Sequence, residues 1–162
     1  GEREATAPWT WAGPSVSVTG RTWGGCLEVL DWIALADRMP ANDDLAGAIL
    51  LLETSEELPS AETVRGLVRA LGERGTLSVV AGVIVARPPA STLGTTRPDA
   101  DARAAWRAAQ RDAVIEEVSA YNPQAVICVG PPFGHTRPQW LLPSGGEVTL
   151  DGGHQRLTAS YQ

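Results

Sequence analysis

The sequence contains no lysine, only two histidines and two cysteines, and no long hydrophobic run. Its basic residues are all arginines, spread along the chain, and the net charge is −6. A surface that follows the phosphates of DNA or RNA needs clustered positive charge, so this composition argues against a nucleic-acid partner. The apolar stretches are far shorter than a bilayer span, which argues against a membrane protein.

The scarcity of cysteine and histidine restricts the chemistry further. Cys26 and Cys128 lie far apart in apolar segments, so they suggest neither a disulfide framework nor a metal site, and we expect two buried free thiols. We predict no metal and no cofactor. The N-terminus lacks the charged-then-apolar layout of a secretion signal, which together with free thiols favours the cytoplasm.

The order of apolar and amphipathic segments predicts an α/β fold. Three apolar runs, AGAILLLE, LSVVAGVIVARP and QAVICVGPP, are typical of strands buried on both faces. Helical patterns alternate with them: GGCLEVLDWIALAD, a segment with Ser60 as its N-cap, and roughly residues 101–121. We therefore predict a parallel core sheet with flanking helices and a small antiparallel β layer, formed by PSVSVTG and the Gly-rich tail, in residues 14–162. Residues 1–13 are predicted to be a linker.

Two chemically active side chains follow the predicted strands directly. Glu53 ends the first apolar run, and His135 comes just after the third, within FGHTRP. Ligands of parallel sheets bind beyond the carboxyl ends of the strands, so we expect these residues to lie on one edge of the sheet. A carboxylate that accepts Nδ1–H fixes the tautomer of the imidazole and stabilises its charged form. His154, in a Gly-rich turn, is interpreted as a solvated loop residue.

A nucleophile to complete this arrangement is missing. The sequence contains no Gly-x-Ser-x-Gly elbow. Ser55 lies in an acidic turn, Ser60 is explained as a cap, Ser144 as a turn residue, and Cys128 as a buried strand residue. A stand-alone phosphate-binding domain is a further hypothesis, because WGGCLEVL has the form of a Gly-rich loop entering a helix. It lacks the usual glycine spacing and lysine of such loops, and the glycines are better explained by close packing.

Four blocks in this sequence resemble a known family when taken in order. WGGCLEVLDW, ILLLETSEELPSAETVRGLVRALGERG, VAGVIVARP and FGHTRP are similar to the C-terminal domain of the LD-carboxypeptidase family of serine peptidases. The first two blocks resemble in particular the branch of the family that contains the microcin C immunity peptidase. The similarity runs from about Arg21 to Leu150. It implies a swivelling β/β/α domain and a Ser–His–Glu triad in which Glu53 and His135 are the catalytic members.

The resemblance also implies a partner domain and a reaction. The serine is expected on an N-terminal nucleophile domain that this chain does not contain, so the isolated chain is expected to be inactive. The reaction is hydrolysis of an amide, either release of D-alanine from a murein LD-peptide or cleavage of an aminoacyl-nucleotide, by a homodimer. Trp9 and Trp11 fall where aromatic residues of the immunity branch stack on the nucleotide, and we assign them to substrate binding. The alternative is a non-catalytic binding and dimerisation module.

Overall fold

A computed structural model describes residues 8–92 and 96–161. The described residues form a seven-stranded mixed sheet with strand order β1-β5-β4-β3-β2-β6-β7. The four central strands β2 to β5 run parallel, and the three outer strands pair antiparallel, which confirms the predicted α/β fold. The strands are β1 (Thr10–Ala12), β2 (Ser17–Cys26), β3 (Ile49–Glu53), β4 (Gly82–Val85), β5 (Val126–Val129), β6 (Glu147–Asp151) and β7 (Arg156–Ala159). The helices are α1 (Leu27–Leu35), α2 (Ala61–Glu73), α3 (Thr76–Val79) and α4 (Ala100–Tyr121), with a 3-10 helix at Asn42–Leu45.

The sheet is covered by helices on one face and by a β-hairpin on the other. Alternate residues of a strand point to opposite faces. Leu50 and Leu52 of β3 therefore pack in the core beneath the helices, whereas Ile49 and Leu51 pack with Val148 and other residues of the β6–β7 hairpin. Burial on both faces explains why this strand has a continuous apolar sequence rather than an alternating one.

Strand β2 is longer than predicted, and it joins two β layers, the parallel part of the sheet and the β6–β7 hairpin. Its first half, 17–21, pairs with β6, and its second half, 22–26, pairs with β3. Gly24 has φ +141°, and a Cβ there would lie 2.0 Å from the carbonyl oxygen of Leu51. The prediction that a helix begins at the glycines was therefore wrong, because the glycines permit close approach of two strands and α1 begins only at Leu27. The loop required by the phosphate-binding hypothesis is a strand.

Two further segments differ from the sequence prediction. The LSVVAGVIVARP run is not one strand: α3 occupies its beginning, and only Gly82–Val85 is extended. Gly75, at φ +80°, starts α3, and the Ser78 hydroxyl donates to the Gly75 carbonyl at 2.7 Å. Of the predicted linker, residues 1–7 lie outside the described part of the chain, and Thr10–Ala12 form β1 at the edge of the sheet beside β5.

The predicted start of α2 at Ser60 is confirmed by its capping hydrogen bond. The Ser60 side chain accepts from the Thr63 amide at 3.1 Å, which begins α2. Asp99 caps α4 in the same way, so both helices start where a side-chain acceptor satisfies an amide left without an intrahelical partner. None of the helices in the described segments combines the length and apolarity needed to span a membrane.

A buried carboxylate joins α2 to α4. Only 8% of the Glu117 side chain is exposed. It accepts two hydrogen bonds from Arg69, at 2.7 and 3.2 Å, and one from Arg65 at 3.3 Å. The hydrogen bond from Arg69 is the main reason that the pKa of Glu117 lies below its usual value, although burial opposes the shift. The ion pair therefore compensates a carboxylate that would otherwise be costly to bury.

We expect Glu117→Gln to lower the free energy of unfolding at neutral pH by about 1–2 kcal/mol, since the arginine hydrogen bonds lose their ionic partner. A carboxyl whose pKa is lowered by folding stabilises the protein above its unfolded pKa, and this contribution is lost as pH falls through the folded pKa. The difference between wild type and variant should therefore shrink in acid. Urea unfolding across pH measures it. Glu62→Gln is the control, because Glu62 is 87% exposed and 3.8 Å from Arg65; an equal effect of both variants would contradict the prediction.

Candidate active site at the carboxyl edge of the sheet

Glu53 and His135 form a direct hydrogen-bonded pair. One carboxylate oxygen, Glu53 Oε2, accepts the backbone N–H of His135 at 2.7 Å and lies 3.0 Å from its ring Nδ1. The Glu53 side chain is 14% exposed and the His135 side chain 41% exposed. Glu53 is the last residue of β3, so a rigid strand positions the carboxylate, which in turn fixes the imidazole. The expectation that both residues lie at one edge of the sheet agrees with this geometry.

Gly134 makes the close contact between loop and carboxylate possible. The loop that follows β5 crosses the end of β4, where the Gly130 amide donates to the Val85 carbonyl at 2.9 Å. Gly134 then adopts φ +68°, and a Cβ at this position would lie 1.5 Å from Glu53 Oε2. A residue with a side chain would therefore push the loop away from the carboxylate. The glycine of the FGH motif is needed for the geometry of the pair.

Arg87 forms hydrogen bonds that hold the loop carrying His135 in place. Its Nε donates to the Thr136 hydroxyl at 3.1 Å, and one terminal nitrogen donates to the Arg137 carbonyl at 2.5 Å. The backbone amide of Arg87 also donates to the Pro131 carbonyl at 2.9 Å. Because Arg87 follows β4, it lies between β3, which ends at Glu53, and β5, which leads into the histidine loop, and it restricts the movement of that loop.

A second carboxylate contacts the outer nitrogen of the histidine. Glu56 Oε2 lies 3.2 Å from His135 Nε2, and the Glu56 side chain is 63% exposed. Each ring nitrogen of His135 thus faces an acidic group. Glu53 is held by the strand and two hydrogen bonds, whereas Glu56 is exposed and can leave without disturbing a packed region.

Ser55 and the two cysteines do not supply a nucleophile for this pair. The Ser55 hydroxyl and amide donate to Glu28 Oε1 at 2.8 and 3.1 Å, and Cys26 Sγ lies 3.1 Å from Glu28 Oε2. Burial raises the pKa of the Cys26 thiol to about 11, helped by its hydrogen bond to Glu28, and burial raises that of Cys128 to about 12. Neither thiol is ionised near neutral pH, so neither is a good nucleophile. Cys128 is fully buried, as predicted, whereas Cys26 is only partly buried.

An open cleft of about 460 Å³ lies beside the histidine loop and contains three tryptophans, Trp9, Trp11 and Trp140. The rings of Trp9 and Trp140 meet edge to face, with centroids 5.3 Å apart and planes at 73°. Such a cleft offers aromatic surface on which a planar group can stack. Trp9 and Trp11 therefore lie near the loop that carries His135.

His154 lies outside this site, in the turn of the β6–β7 hairpin. His154 is 83% exposed in the β6–β7 turn, with Nδ1 2.9 Å from Asp151 Oδ2, in agreement with its interpretation as a solvated loop residue. Across residues 8–92 and 96–161, no group of three or more histidine, cysteine or acidic side chains is arranged to hold a metal ion.

The fold and the paired residues can now be compared with known proteins. The sequence matches the family described as LD-carboxypeptidase C-terminal domain over residues 19–150. The chain therefore belongs to this family of peptidase domains, as its sequence blocks indicated. A comparison with curated proteins finds no match.

Solved structures of MccF and MccF-like proteins share the fold. An MccF-like protein from Streptococcus pneumoniae in complex with AMP has a TM-score of 0.73 and 23% identity, over 98% of this chain and 45% of that one. The microcin C7 self immunity protein MccF in complex with aspartyl sulfamoyl adenosine has a TM-score of 0.71 and 24% identity, over 99% and 45%. An apo active-site mutant of MccF, in which a serine, an asparagine and a lysine are replaced by alanine, has a TM-score of 0.69 and 25% identity, over 94% and 41%. The chain spans less than half the length of these structures.

Several residues of the site were not predicted from the sequence. Gly134 carries a signal, since a glycine immediately before a candidate catalytic residue indicates a close backbone approach. Glu56 lies in the same acidic turn as Glu53 but was not distinguished from its neighbours. Arg87 and Trp140 act through contacts that depend on how the loop after β5 folds back, which no local pattern encodes.

We expect Gly134→Ala to separate His135 from Glu53, because the added methyl group would overlap the carboxylate and the residue would keep a left-handed backbone. The variant should lose at least about 1 kcal/mol of stability. Ring-nitrogen NMR of His135 should show that the Nδ1 hydrogen bond is weakened.

Gly66→Ala is the matched control, since a Cβ at this exposed helical position meets nothing within 4 Å. It should raise stability by about 0.5–1 kcal/mol, because alanine loses less backbone entropy in a helix. If Gly134→Ala were as stable as wild type and left the His135 resonances unchanged, the role assigned to Gly134 would be wrong.

Proposed function

We propose that this domain supplies the histidine and the glutamate of a Ser–His–Glu triad in an amide hydrolase of the LD-carboxypeptidase family. The observation that carries the proposal is the contact of Glu53 Oε2 with both the backbone N–H and Nδ1 of His135. Membership of a carboxypeptidase family supports it, as does the replacement of a serine in an MccF active-site mutant. The serine would be carried by a preceding nucleophile domain.

In the proposed mechanism, His135 transfers a proton in both directions. The serine hydroxyl attacks the scissile carbonyl carbon while His135 Nε2 accepts its proton, and the resulting imidazolium then protonates the leaving amine. Water next attacks the acyl-enzyme by the same proton transfers and releases the acid and the free serine. Glu53 keeps Nδ1 protonated, so that Nε2 has the free lone pair. Glu56 must leave Nε2 as the serine approaches, which its exposure allows.

The aromatic cleft favours an aminoacyl-nucleotide over a murein LD-peptide as the substrate. Trp9, Trp11 and Trp140 line it near the candidate catalytic histidine, and a nucleobase stacks on such surfaces whereas the side chains of a murein peptide do not. Two similar structures support this choice, since an MccF-like protein contains the nucleotide AMP and MccF contains aspartyl sulfamoyl adenosine, an aminoacyl-nucleoside compound. We propose that Trp9 and Trp11 contact the base.

We expect His135→Ala and Glu53→Gln each to lower kcat/KM on the order of 10³- to 10⁴-fold, since both remove proton transfer through a correctly oriented imidazole. The assay follows hydrolysis of an aminoacyl-adenosine amide and of an LD-tetrapeptide by this domain joined to its nucleophile domain. His154→Ala serves as the control, because this histidine is exposed in a turn of the hairpin.

The same assay decides between catalysis and the alternative of a non-catalytic binding and dimerisation module. Hydrolysis that survives His135→Ala at the wild-type rate would refute the proposed triad. Absence of turnover together with tight ligand binding would favour the binding module. The domain assayed alone should show no turnover.

Trp11→Ala should weaken AMP binding by about tenfold, because stacking on a base contributes about 1–3 kcal/mol. Titration calorimetry measures the dissociation constant. Trp32→Ala provides a matched control, since Trp32 is a 65% exposed tryptophan on α1 and does not line the cleft. Equal affinities of the two variants would contradict the assignment.

A further inference from the structure

Gln110 is a buried amide on α4 whose two polar atoms have different surroundings. The residue is only 2% exposed. Its Nε2 donates to the Pro59 carbonyl at 2.5 Å, whereas Oε1 has no hydrogen-bond partner among the residues that the structure describes. A carbonyl can only accept, so the amide must present its nitrogen to Pro59 and its oxygen elsewhere. A buried acceptor without a donor is costly, and it indicates a partner other than a protein group.

A small cavity lies behind the end of β3, between the sheet and the helices α2 and α4. Gln110 and Thr54 line it together with buried apolar side chains such as Val64 and Val114. Its volume is about 10 Å³, close to the smallest space that holds one water molecule. Cavities with purely apolar walls stay dry, whereas a cavity that offers a water polar partners retains it. The size of the cavity and the unpaired acceptor therefore point to the same ligand, a single water.

Thr54 supplies a second polar group in this cavity. It directly follows Glu53 and is only 6% exposed. Leu50 and Leu52 of β3 pack beneath the helices, and continuing this alternation by one step places Thr54 on the same face. A threonine hydroxyl both donates and accepts. A water between the two side chains can therefore donate one proton to Gln110 Oε1 and accept the proton of the Thr54 hydroxyl.

We propose that one buried water joins Gln110 Oε1 to the Thr54 hydroxyl, and that Gln110 is a positioning residue for the candidate catalytic pair. Gln110 then holds both ends of the segment 54–59, the first through the water and the second through its own bond to Pro59. Because Thr54 shares a peptide bond with Glu53, a fixed Thr54 limits the rotation of the Glu53 backbone and keeps its carboxylate in place. The inference rests on the proposed function and names a residue that acts on it through others.

The middle of the same segment is held from the opposite side. The Ser55 amide and hydroxyl donate to Glu28 Oε1, at 3.1 and 2.8 Å. Glu56 lies in this segment but is 63% exposed. The segment is therefore anchored at both ends and at Ser55, while the one side chain that must leave His135 during the reaction stays free to move.

The first test detects the water directly. In the wild-type protein, the methyl groups of Val64 and Val114 should show nuclear Overhauser effects to water, with the sign of a water that tumbles with the protein. Gln110→Met should abolish these signals. Signals that persist in this variant would come from the Thr54 hydroxyl and would overturn the proposal, as would their absence from the wild type.

A double-mutant cycle tests whether the two side chains act together. Gln110→Met and Thr54→Val should each raise the equilibrium constant of unfolding, and the double variant should raise it at least about threefold less than the product of the two single effects. Thr158→Val is the matched control, since Thr158 is exposed on β7 in the hairpin and should combine additively with Gln110→Met. Additive effects of Gln110→Met and Thr54→Val would contradict a shared water.

The positioning role is tested in the two-domain enzyme. Thr54→Val leaves the bond between Gln110 and Pro59 in place, so it isolates the water. It should lower kcat about three- to tenfold with little change in KM, and it should shift the Nδ1 signal of His135. Thr54→Ser keeps the hydroxyl and should restore both values. Unchanged kcat and His135 signals in Thr54→Val would refute the positioning role. The first two tests require no hydrolysis, so their failure is distinct from failure of the triad.

Discussion

The orientation of the candidate catalytic histidine depends on a single oxygen atom, Glu53 Oε2. It accepts the backbone amide of His135 and contacts its ring nitrogen, so main chain and side chain are fixed together. A mostly buried carboxylate is expensive to remove from water, and these donors compensate that cost. Because Glu53 ends a strand whose preceding residues are buried on both faces, the oxygen has little freedom to move. The imidazole is therefore oriented before any nucleophile or substrate arrives, which lowers the reorganisation that a reaction would require.

The parallel topology explains why so many functional contacts meet at one place. Strands β3, β4 and β5 all end at the same edge, and they deliver Glu53, Arg87 and the histidine loop respectively. The loop then borders the aromatic cleft lined by Trp9, Trp11 and Trp140. A site built from strand ends can vary its loops while the sheet beneath them remains unchanged.

The sequence predicted those parts of the molecule that depend on buried strands and their ends. Glu53 and His135 were found because each follows an apolar run, and the capped start of α2 because Ser60 is a strong local signal. The end of β2 was misplaced because an apolar run after two glycines suits either a strand or a helix. Gly24 is explained only by the neighbouring carbonyl of Leu51. Similarly, the aromatic cleft unites β1 with the loop after β5, and such contacts between distant segments leave no local pattern.

The dual pairing of β2 has a consequence for how the domain folds and unfolds. Its first half belongs to the hairpin layer and its second half to the parallel sheet, so one strand contributes hydrogen bonds to both. Neither layer can open completely without breaking half of β2 and exposing apolar residues such as Leu51 and Val148, which pack between the layers. The two β layers therefore form one cooperative unit, in which backbone amides of β3 and β6 should exchange with solvent through the same global opening. Since Glu53 ends β3, the candidate active site shares the stability of that unit.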